Sequence, residues 1–355
     1  MRAMRNTMAV LVWTACFAQA PTPPADSDSE GPIRANVSVV IAPTTVRDKS
    51  GDFLNDLKLE DFELYDNNEL QKIEADIQHE PLSLLVAVQR SADLDNALPK
   101  IQRIGPMLND LVAGEDGEVA VLGFDHRIQV EQEFTNETQK ISAALRKMKP
   151  GSTNHALVDA VRASVRMLQK RPQNRRKILL LIAEKHDKGS KGQLREVLTE
   201  AQFANITVCS LDISSLVSAL TSRAMPQPPP TIPTTAQHIP AGGALTPTTI
   251  EQNYYMGNYV PLFVDIFEEA KGLFVDNPLD VFTRFTGGRR YEFVSKDSLE
   301  RAIQTLSQEL HGQYLLSYIP TNLNLGGFHE IKVVVNRPDL VVRTRPGYWI
   351  AGKPQ

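Results

Sequence analysis

The feature that most constrains the fold is a series of short segments that are apolar along their whole length and alternate with helical patterns. These segments begin with LSLLVAV at Leu82 and recur at 118–124, 178–182 and 206–211. A strand without a polar face is buried on both sides, as in a parallel sheet covered by helices. The helical spacing between the strands is carried by Leu157, Val161, Val165 and Leu168, and by a helix near 191–203. The sequence therefore predicts a doubly wound α/β unit over residues 82–215.

Further helices and a Pro-rich insertion extend this unit to residues 81–312. A helix from Leu98 to Leu111 should kink at Gly105-Pro106. Residues 217–260 contain MPQPPPTIPTT and PAGGALTPTT, which predicts a surface loop, with a Pro-rich ligand for an aromatic groove as the alternative. After it, a helix should begin at Asn277-Pro278 and end before Gly287. The last helix of the unit carries Leu299, Ile303, Leu306 and Leu310.

Both ends of the folded chain have the two-residue alternation of strands. Apolar and polar residues alternate from Ile33 to Ile41, and further strands are predicted up to residue 80 and within 313–350. Each of these two segments has too few strands to be stable alone. We therefore expect 33–80 and 313–350 to pair into one small β-sandwich, with the α/β domain inserted between its strands.

The N-terminus predicts export to the periplasm or the extracellular space. Arg2 and Arg5 precede a short apolar run that ends in the small-residue triplet 18–20, which is typical of a signal peptide over residues 1–20. Lipidation at Cys16 is the alternative. Residues 21–32 have the composition of a disordered leader. The N-terminal run of about 10 residues and all later apolar stretches are too short to span a bilayer, so no transmembrane segment is predicted.

Charge and motif content exclude several function classes. The chain has 38 Lys and Arg against 42 Asp and Glu, which gives a net charge of −4. This slightly acidic balance does not indicate a nucleic-acid-binding protein. It has no GxSxG, HExxH, Gly-rich phosphate loop or CxxC motif. Once residues 1–20 are removed, Cys209 is the only thiol, and its apolar surroundings predict a buried, unreactive side chain.

Seven segments occur in an order that points to one family. They are TTVRDKSGDFLNDLKLEDFELYDN, PLSLLVAV, GEVAVLGFD, GSTNHALVDAV, RRKILLLIAEKHDKGS, FTGGRRY and GQYLLSYIPTN, the last followed by GFHEIKVVV and RPGYW. Together they resemble secreted bacterial proteins with a von Willebrand factor A (VWFA)-related domain, of the type abundant in acidobacteria. The resemblance implies a parallel sheet wrapped by helices and flanked by β segments, in an exported protein.

The resemblance also implies the position of a metal-ion-dependent adhesion site. In A-type domains a DxSxS loop, a Thr and an Asp from three loops hold a divalent cation at the carboxyl ends of the strands. Here the first loop places Gln89 at the Asp position, Ser91 at a matching Ser and Asp93 at the second Ser. Thr153 matches the Thr, and Glu184 stands at the third-loop Asp. Ser91, Asp93, Thr153 and Glu184 are thus the candidate metal residues of an altered site.

Two interpretations of this altered site follow. The carboxylates of Asp93 and Glu184 could bind Mg²⁺ or Mn²⁺ weakly, because hard cations prefer oxygen ligands. Alternatively the site is degenerate, since Mg²⁺ tolerates misplaced ligands poorly and Arg90 and Lys185 add positive charge. We expect the degenerate site.

The function expected from these observations is a non-enzymatic, adhesion-type protein-interaction module. Its binding loops would be 89–93, 151–155 and 184–190, at the sheet edge where doubly wound folds bind ligands. The partner is expected to be another protein. One alternative is an envelope scaffold built on the β-sandwich. Another is a metal-dependent hydrolase with Glu184 or Asp187 as the base.

Overall fold

The structure consists of an α/β layer and a β-sandwich. The computed structural model describes residues 39–76, 80–94, 98–108, 116–215, 277–292, 296–322 and 327–350. All of them belong to one compact unit, 38–355. The expected signal peptide with Cys16, the leader 21–32 and the Pro-rich insertion 217–260 lie outside the described residues. Within the described ranges, no helix combines the length and the hydrophobicity that a membrane crossing requires.

The helices and strands are numbered in chain order. The strands are β1 (Val40–Arg47), β2 (Phe62–Asp66), β3 (Glu69–Gln71), β4 (Ile73–Asp76), β5 (Leu82–Gln89), β6 (Glu118–Phe124), β7 (Ile128–Thr135), β8 (Arg176–Ala183), β9 (Ile206–Asp212), β10 (Arg290–Glu292), β11 (Gln313–Tyr318), β12 (Gly327–Val335), β13 (Val341–Arg343) and β14 (Gly347–Ile350). The helices are α1 (Leu98–Ile101), α2 (Gly105–Met107), α3 (Thr138–Lys147), α4 (Leu157–Gln169), α5 (Leu194–Phe203), α6 (Pro278–Phe285) and α7 (Lys296–His311).

The central sheet has six strands in the order β10-β9-β8-β5-β6-β7. Five run parallel, and β7 pairs antiparallel with β6 at the edge. Every residue of β5, β8 and β9 is buried, which explains why these strands have no polar face in the sequence. The predicted doubly wound α/β fold is therefore confirmed, with a mixed rather than a wholly parallel sheet.

Alternate residues of β5 enter two separate cores. Leu84, Val86 and Val88 pack in a core that contains residues of α1, α3 and α7. Leu85 and Ala87 pack in a second core with residues of α4, α5 and α6. The sheet is thus covered by helices on both faces.

Three elements of the α/β layer, β7, α3 and the three-residue strand β10, were not predicted, and one predicted helix is broken. β7 is an exposed edge strand, so its pattern lacks a buried face, and α3 follows it directly. The helix expected from Leu98 is interrupted by a 3-10 turn at Gln102–Ile104 before Gly105. A Cβ atom on Gly105 would lie 2.8 Å from the Cα of Ser142, so this close approach to α3 requires glycine. Leu111 lies outside the described residues.

The two ends of the chain form the predicted β-sandwich. One sheet has the order β13-β1-β11-β4 and the other β14-β12-β2-β3. The strands of the first segment therefore pair with strands of the last one, for example β1 with β11 and β2 with β12. A single core lies between the sheets. The first strand begins at Val40, and 33–38 lie outside the described residues.

A buried polar group also joins the two ends. The Asp66 carboxylate in β2 is fully buried and accepts hydrogen bonds from the hydroxyl groups of Tyr318 (2.8 Å) and Tyr348 (2.7 Å). The Nδ1 atom of His329 lies 2.8 Å from its other oxygen. All three partners belong to the C-terminal segment, so this network is completed only when both ends of the chain meet.

Candidate functional site

The candidate site lies in the loops at the carboxyl edge of the central sheet. In the parallel register Val88 of β5 is opposite Gly123 of β6 and Ile182 of β8. Residues that follow these positions therefore meet at one edge, and Gln89 and Glu184 become neighbours. We refer to loops 89–94, 125–127, 149–156 and 184–192 as the carboxyl-edge loops.

The centre of the site is the fully buried side chain of Gln89. Its Nε2 atom donates hydrogen bonds to Ser91 Oγ at 2.8 Å and to Glu184 Oε2 at 2.9 Å. The Nδ1 atom of His155 lies 3.3 Å from the same nitrogen. We call Gln89, Ser91, His155 and Glu184 the Gln89 cluster.

The orientation of the Gln89 amide follows from its partners. The backbone N–H of Glu184 donates to Gln89 Oε1 at 2.9 Å, and an N–H group has no lone pair to accept a bond in return. The oxygen must therefore face Glu184 N, which directs the NH₂ group towards Ser91 and the Glu184 carboxylate.

His155 lies beside the Gln89 amide and links the cluster to the 184–192 loop. Its Nε2 atom lies 2.9 Å from the carbonyl oxygen of His186, which can only accept, so Nε2 carries the proton. The Nδ1 atom, on the other side of the ring, faces the Gln89 amide nitrogen. This arrangement also ties the loop before α4 to the loop after β8.

Asp125 holds the backbone of two loops next to the cluster. This fully buried carboxylate accepts the backbone N–H groups of Arg127 at 2.6 Å and Ser152 at 3.0 Å. Burial alone would raise the pKa of Asp125, but these backbone hydrogen bonds hold the pKa below its ordinary value. A Cβ atom on Gly151 would lie 2.0 Å from Asp125 Oδ2, so the loop can approach this carboxylate as closely as it does only with glycine at position 151.

Asp187, in the loop after β8, caps the N-terminus of α4. Its Oδ1 atom accepts the backbone N–H of Leu157 at 2.8 Å and the Ser190 hydroxyl at 2.9 Å. The residue before α4, Ala156, provides no side-chain cap. Asp187 therefore satisfies a free N–H at the positive end of the helix and holds the 184–192 loop against α4.

The structure brings together some of the predicted site residues and separates others. Ser91 and Glu184 both contact Gln89. Thr153 is exposed, and within the described structure no hydrogen bond joins it to the Gln89 cluster. The residue of that loop that reaches the cluster is His155. The backbone of Asp93 lies in a short 3-10 helix, Ala92–Leu94, and its side chain lies outside the described part of the structure.

The two basic side chains expected to add charge differ in their surroundings. Arg90 extends over β7, where its Nη1 lies 3.4 Å from Glu131 Oε1 and its Nη2 donates to Gln129 at 3.2 Å. Its charge is thus offset by Glu131. Lys185 is exposed to solvent.

Among the described side chains, the donor set does not fit a divalent cation. Mg²⁺ needs about six oxygen ligands at about 2.1 Å. Ser91 Oγ and Glu184 Oε2 instead share the Gln89 amide nitrogen, which is a hydrogen-bond donor and has no free lone pair for a metal. Across the described ranges, no group of three or more His, Cys, Asp or Glu residues is arranged to hold a metal ion.

The surface around the cluster is basic. The exposed charged side chains of loops 125–127, 149–156 and 184–192 are all cationic, namely Arg127, Lys149, Lys185, Lys188 and Lys191. The acidic side chains of the same loops, Asp125, Glu184 and Asp187, are buried or half-buried and accept the hydrogen bonds described above. These loops therefore present positive charge to solvent.

Sequence reasoning missed His155 and Asp125. Both stand in segments that carried the family resemblance, GSTNHAL and GEVAVLGFD. The signal available for Asp125 was its position directly after a buried strand, where it shares an edge with Gln89. Nothing in the spacing indicated that His155 would turn inward.

Comparisons with known proteins identify the region that contains these loops. A family model described as the von Willebrand factor type A domain matches residues 86–186, which include the whole Gln89 cluster. Among the curated proteins, none matches this sequence. The narrower resemblance to secreted acidobacterial proteins stays a prediction.

Several solved structures are similar to this chain. One is the conserved hypothetical protein BatB from Bacteroides thetaiotaomicron, with 14% identity and a TM-score of 0.40 over 64% of this chain and 98% of that one. Another is an aerotolerance-related membrane protein from Bacteroides fragilis, with 13% identity and a TM-score of 0.37 over 64% and 99%. A third is the vWF domain of the type V pili tip protein Mfa5 from Porphyromonas gingivalis, with 15% identity and a TM-score of 0.26 over 30% and 39%.

Proposed function

Because the central part of this chain is a von Willebrand factor A-related domain, we propose that the protein is an exported, non-enzymatic interaction module of the adhesion type. Its carboxyl-edge loops bind a partner protein, and they do so without a divalent cation. The observation that carries this proposal is the Gln89 amide, which joins Ser91 and Glu184 from inside the cluster.

The Gln89 cluster supports cation-independent binding through its chemistry. In an A-type site a cation links the oxygen ligands of separate loops. Here a neutral carboxamide links the first loop to Glu184 and His155 through hydrogen bonds. The loops are therefore held in place without the cation, and the surface above them remains available to a partner.

The charge of the carboxyl-edge loops indicates the chemistry of that partner. Arg127, Lys149, Lys185, Lys188 and Lys191 are exposed there. Complementary charges steer association and disfavour partners of like charge. A partner with an acidic surface is therefore the one that these loops fit.

The two carboxylates considered for a hydrolase have structural partners. Glu184 binds the Gln89 amide, and Asp187 caps α4. A general base must reach the proton that it abstracts, and one oxygen of each carboxylate, Glu184 Oε2 and Asp187 Oδ1, is already engaged in holding the loops. This supports the non-enzymatic interpretation.

Site-specific photo-crosslinking in envelope extract tests the proposal. A photo-crosslinking residue is placed at Thr153 or Lys188, both exposed in the carboxyl-edge loops, and at Lys332, which is exposed on the β-sandwich. We expect adducts at the first two positions that persist in EDTA and weaken as the salt concentration rises. The additional change Lys185→Glu should weaken them, whereas Arg166→Glu, on the exposed face of α4, should not.

Two outcomes would contradict the proposal. Adducts confined to Lys332 would favour an envelope scaffold that acts through the sandwich. Adducts at Thr153 and Lys188 that disappear with EDTA would mean that the site depends on a cation after all.

The export part of the proposal has its own test. Mass spectrometry of envelope and culture-medium fractions should give a mature chain that begins near Pro21, because Arg2, Arg5 and the following apolar run match a signal peptide. An intact Met1, or an acyl group on Cys16, would overturn it.

A further inference from the structure

A second cluster of charged residues lies where the α/β layer meets the β-sandwich. The Glu309 carboxylate in α7 is almost fully buried, with 3% of its side chain exposed. Its Oε2 atom lies 3.5 Å from Arg47 Nη2 and 3.3 Å from Arg289 Nη1, and its Oε1 atom pairs with Arg343. Arg47 and Arg343 come from the sandwich, and Arg289 directly precedes β10. We call these four residues the arginine cluster.

The arginine cluster has more positive than negative charge. Within the described part of the chain, Glu309 is the only carboxylate within 4 Å of any of its three guanidinium groups. Tyr291 donates its hydroxyl to Glu309 at 3.1 Å, and burial raises the pKa of Tyr291, so this phenol adds no negative charge. Three cations around one carboxylate leave two positive charges without a counterion.

Two of the guanidinium groups are oriented by aromatic rings. Arg47 lies over the ring of Phe53 at 4.2 Å, and Arg289 lies over the ring of Tyr291 at 5.5 Å. Among the described residues, each of these arginines pairs with Glu309 through a single nitrogen. Because the aromatic ring covers a face of the guanidinium group, the N–H groups along its edge remain available to donate two parallel hydrogen bonds.

The side chains of all three arginines are partly exposed to solvent. The exposed fractions of the side chains are 25% for Arg47, 33% for Arg289 and 37% for Arg343. Both terminal nitrogens of Arg343 also donate within the protein, Nη1 to the carbonyl oxygen of Gly288 and Nη2 to Glu309. Guanidinium groups that are oriented in advance lose little entropy on binding, and they prefer oxyanions that accept two parallel hydrogen bonds.

We propose that Arg47, Arg289 and Arg343 form a binding site for a phosphate-type oxyanion, either free phosphate or the phosphate group of a larger molecule. The anion supplies the charge that Glu309 leaves unbalanced. Because the three arginines come from both parts of the molecule, bound phosphate also ties the sandwich to the α/β layer. The site shares no residue with the Gln89 cluster, so this proposal can be tested independently of the proposed function.

Calorimetric titration of the full chain tests this site. Inorganic phosphate and phosphoserine are titrated separately, against chloride at the same ionic strength, because exposed charges respond to salt in general. We expect phosphate to bind where chloride does not. Tighter binding of phosphoserine would identify a phosphate group on a larger molecule, and tighter binding of inorganic phosphate would identify the free ion.

Variants separate binding from a purely structural role. Arg289→Gln and Arg47→Gln should each raise the Kd for phosphate about tenfold or more, which corresponds to about 1.4 kcal/mol, because each removes a charge-assisted hydrogen bond. Arg166→Gln, which removes an exposed arginine from α4, should leave the Kd unchanged. Circular dichroism establishes that each variant is folded.

The proposal is wrong if the unmodified chain does not bind phosphate at millimolar concentration, if chloride produces the same heats, or if folded Arg289→Gln binds as tightly as the unmodified chain. A cluster that only joins the two parts of the molecule would lower the melting temperature in these variants but would show no dependence on phosphate.

Discussion

At Gln89, a carboxamide stands where the A-type pattern has the first carboxylate of its metal site. The change replaces one oxygen by an NH₂ group, which donates to Ser91 and Glu184 instead of binding a cation beside them. Asp93 and Glu184 also differ from the family pattern. The candidate site therefore differs from the family pattern at three of its five positions.

The response to metal ions should follow from Gln89. A ligand that binds only the native state stabilises it by about 2.7 kcal/mol at 100 times its Kd, which shifts the melting temperature by several degrees. We expect no such shift with millimolar Mg²⁺ or Mn²⁺. The triple change Gln89→Asp, Asp93→Ser and Glu184→Asp should create it. A shift in the unmodified protein that Glu184→Ala abolishes would reveal a working metal site.

Cys209 should be chemically inert in the folded protein. Burial raises the pKa of its thiol to about 12, against about 8.5 for a free cysteine. The folded state therefore keeps the proton, and the stability from this neutral thiol declines as the pH rises above about 8.5 towards the folded pKa. In a Cys16→Ser chain, iodoacetamide at pH 8 should react only after denaturation. Rapid alkylation of the native protein would contradict this burial.

At the scale of elements, the loops at the sheet edge are held by contacts between loops rather than by their own sequence. Asp125 after β6 binds the 149–156 loop, His155 binds the 184–192 loop, and Asp187 of that loop caps α4. These links join the turn between β6 and β7, the loop between α3 and α4, and the loop after β8. Hydrogen bonds therefore join these loops into one connected surface, which is the surface that we propose for partner binding.

Two glycines of this surface should respond differently to the same substitution. Gly151→Ala would place a Cβ atom 2.0 Å from Asp125 Oδ2, so the loop or the carboxylate must move. Overpacking of this kind costs about 1–3 kcal/mol. Gly189→Ala is the matched control, because its nearest atom would be 3.8 Å away. Chemical denaturation should give a lower free energy of unfolding for Gly151→Ala alone, and equal values would disprove the close contact.

At the scale of the whole molecule, the first and last segments fold as one sandwich around an inserted α/β layer. β1 lies between β11 and β13, and β2 pairs with β12. Asp66 is buried in the first segment, and its hydrogen-bond partners Tyr318, His329 and Tyr348 are all in the last. The sandwich thus depends on contacts that span most of the sequence.

Deletion of residues 313–355 should therefore unfold or aggregate the first segment. β1 loses both of its neighbours, and the Asp66 carboxylate loses four side-chain partners, Tyr318, Asn322, His329 and Tyr348. A polar group in the core without partners is destabilising. Hydrogen exchange should show loss of amide protection in 40–47 and 62–66. Retained protection in these strands would mean that the first segment is stable without the last.

The sequence alone determined which segments form the core and which layers they make. Strands such as β5 and β8 are buried on both faces, so their composition identified a helix-covered sheet, and the alternating ends identified a sandwich that needs both segments. The same patterns missed β7, because an exposed edge strand has no buried face. For the candidate site, the resemblance to the A-type pattern indicated Gln89, Ser91 and Glu184, and the parallel strands bring these residues to one edge. Only the tertiary structure decided that His155 rather than Thr153 faces Gln89, that Asp187 caps a helix, and that Arg47, Arg289 and Arg343 converge on Glu309. These contacts join residues from separate elements, and their geometry depends on how the elements pack, which local periodicity does not encode.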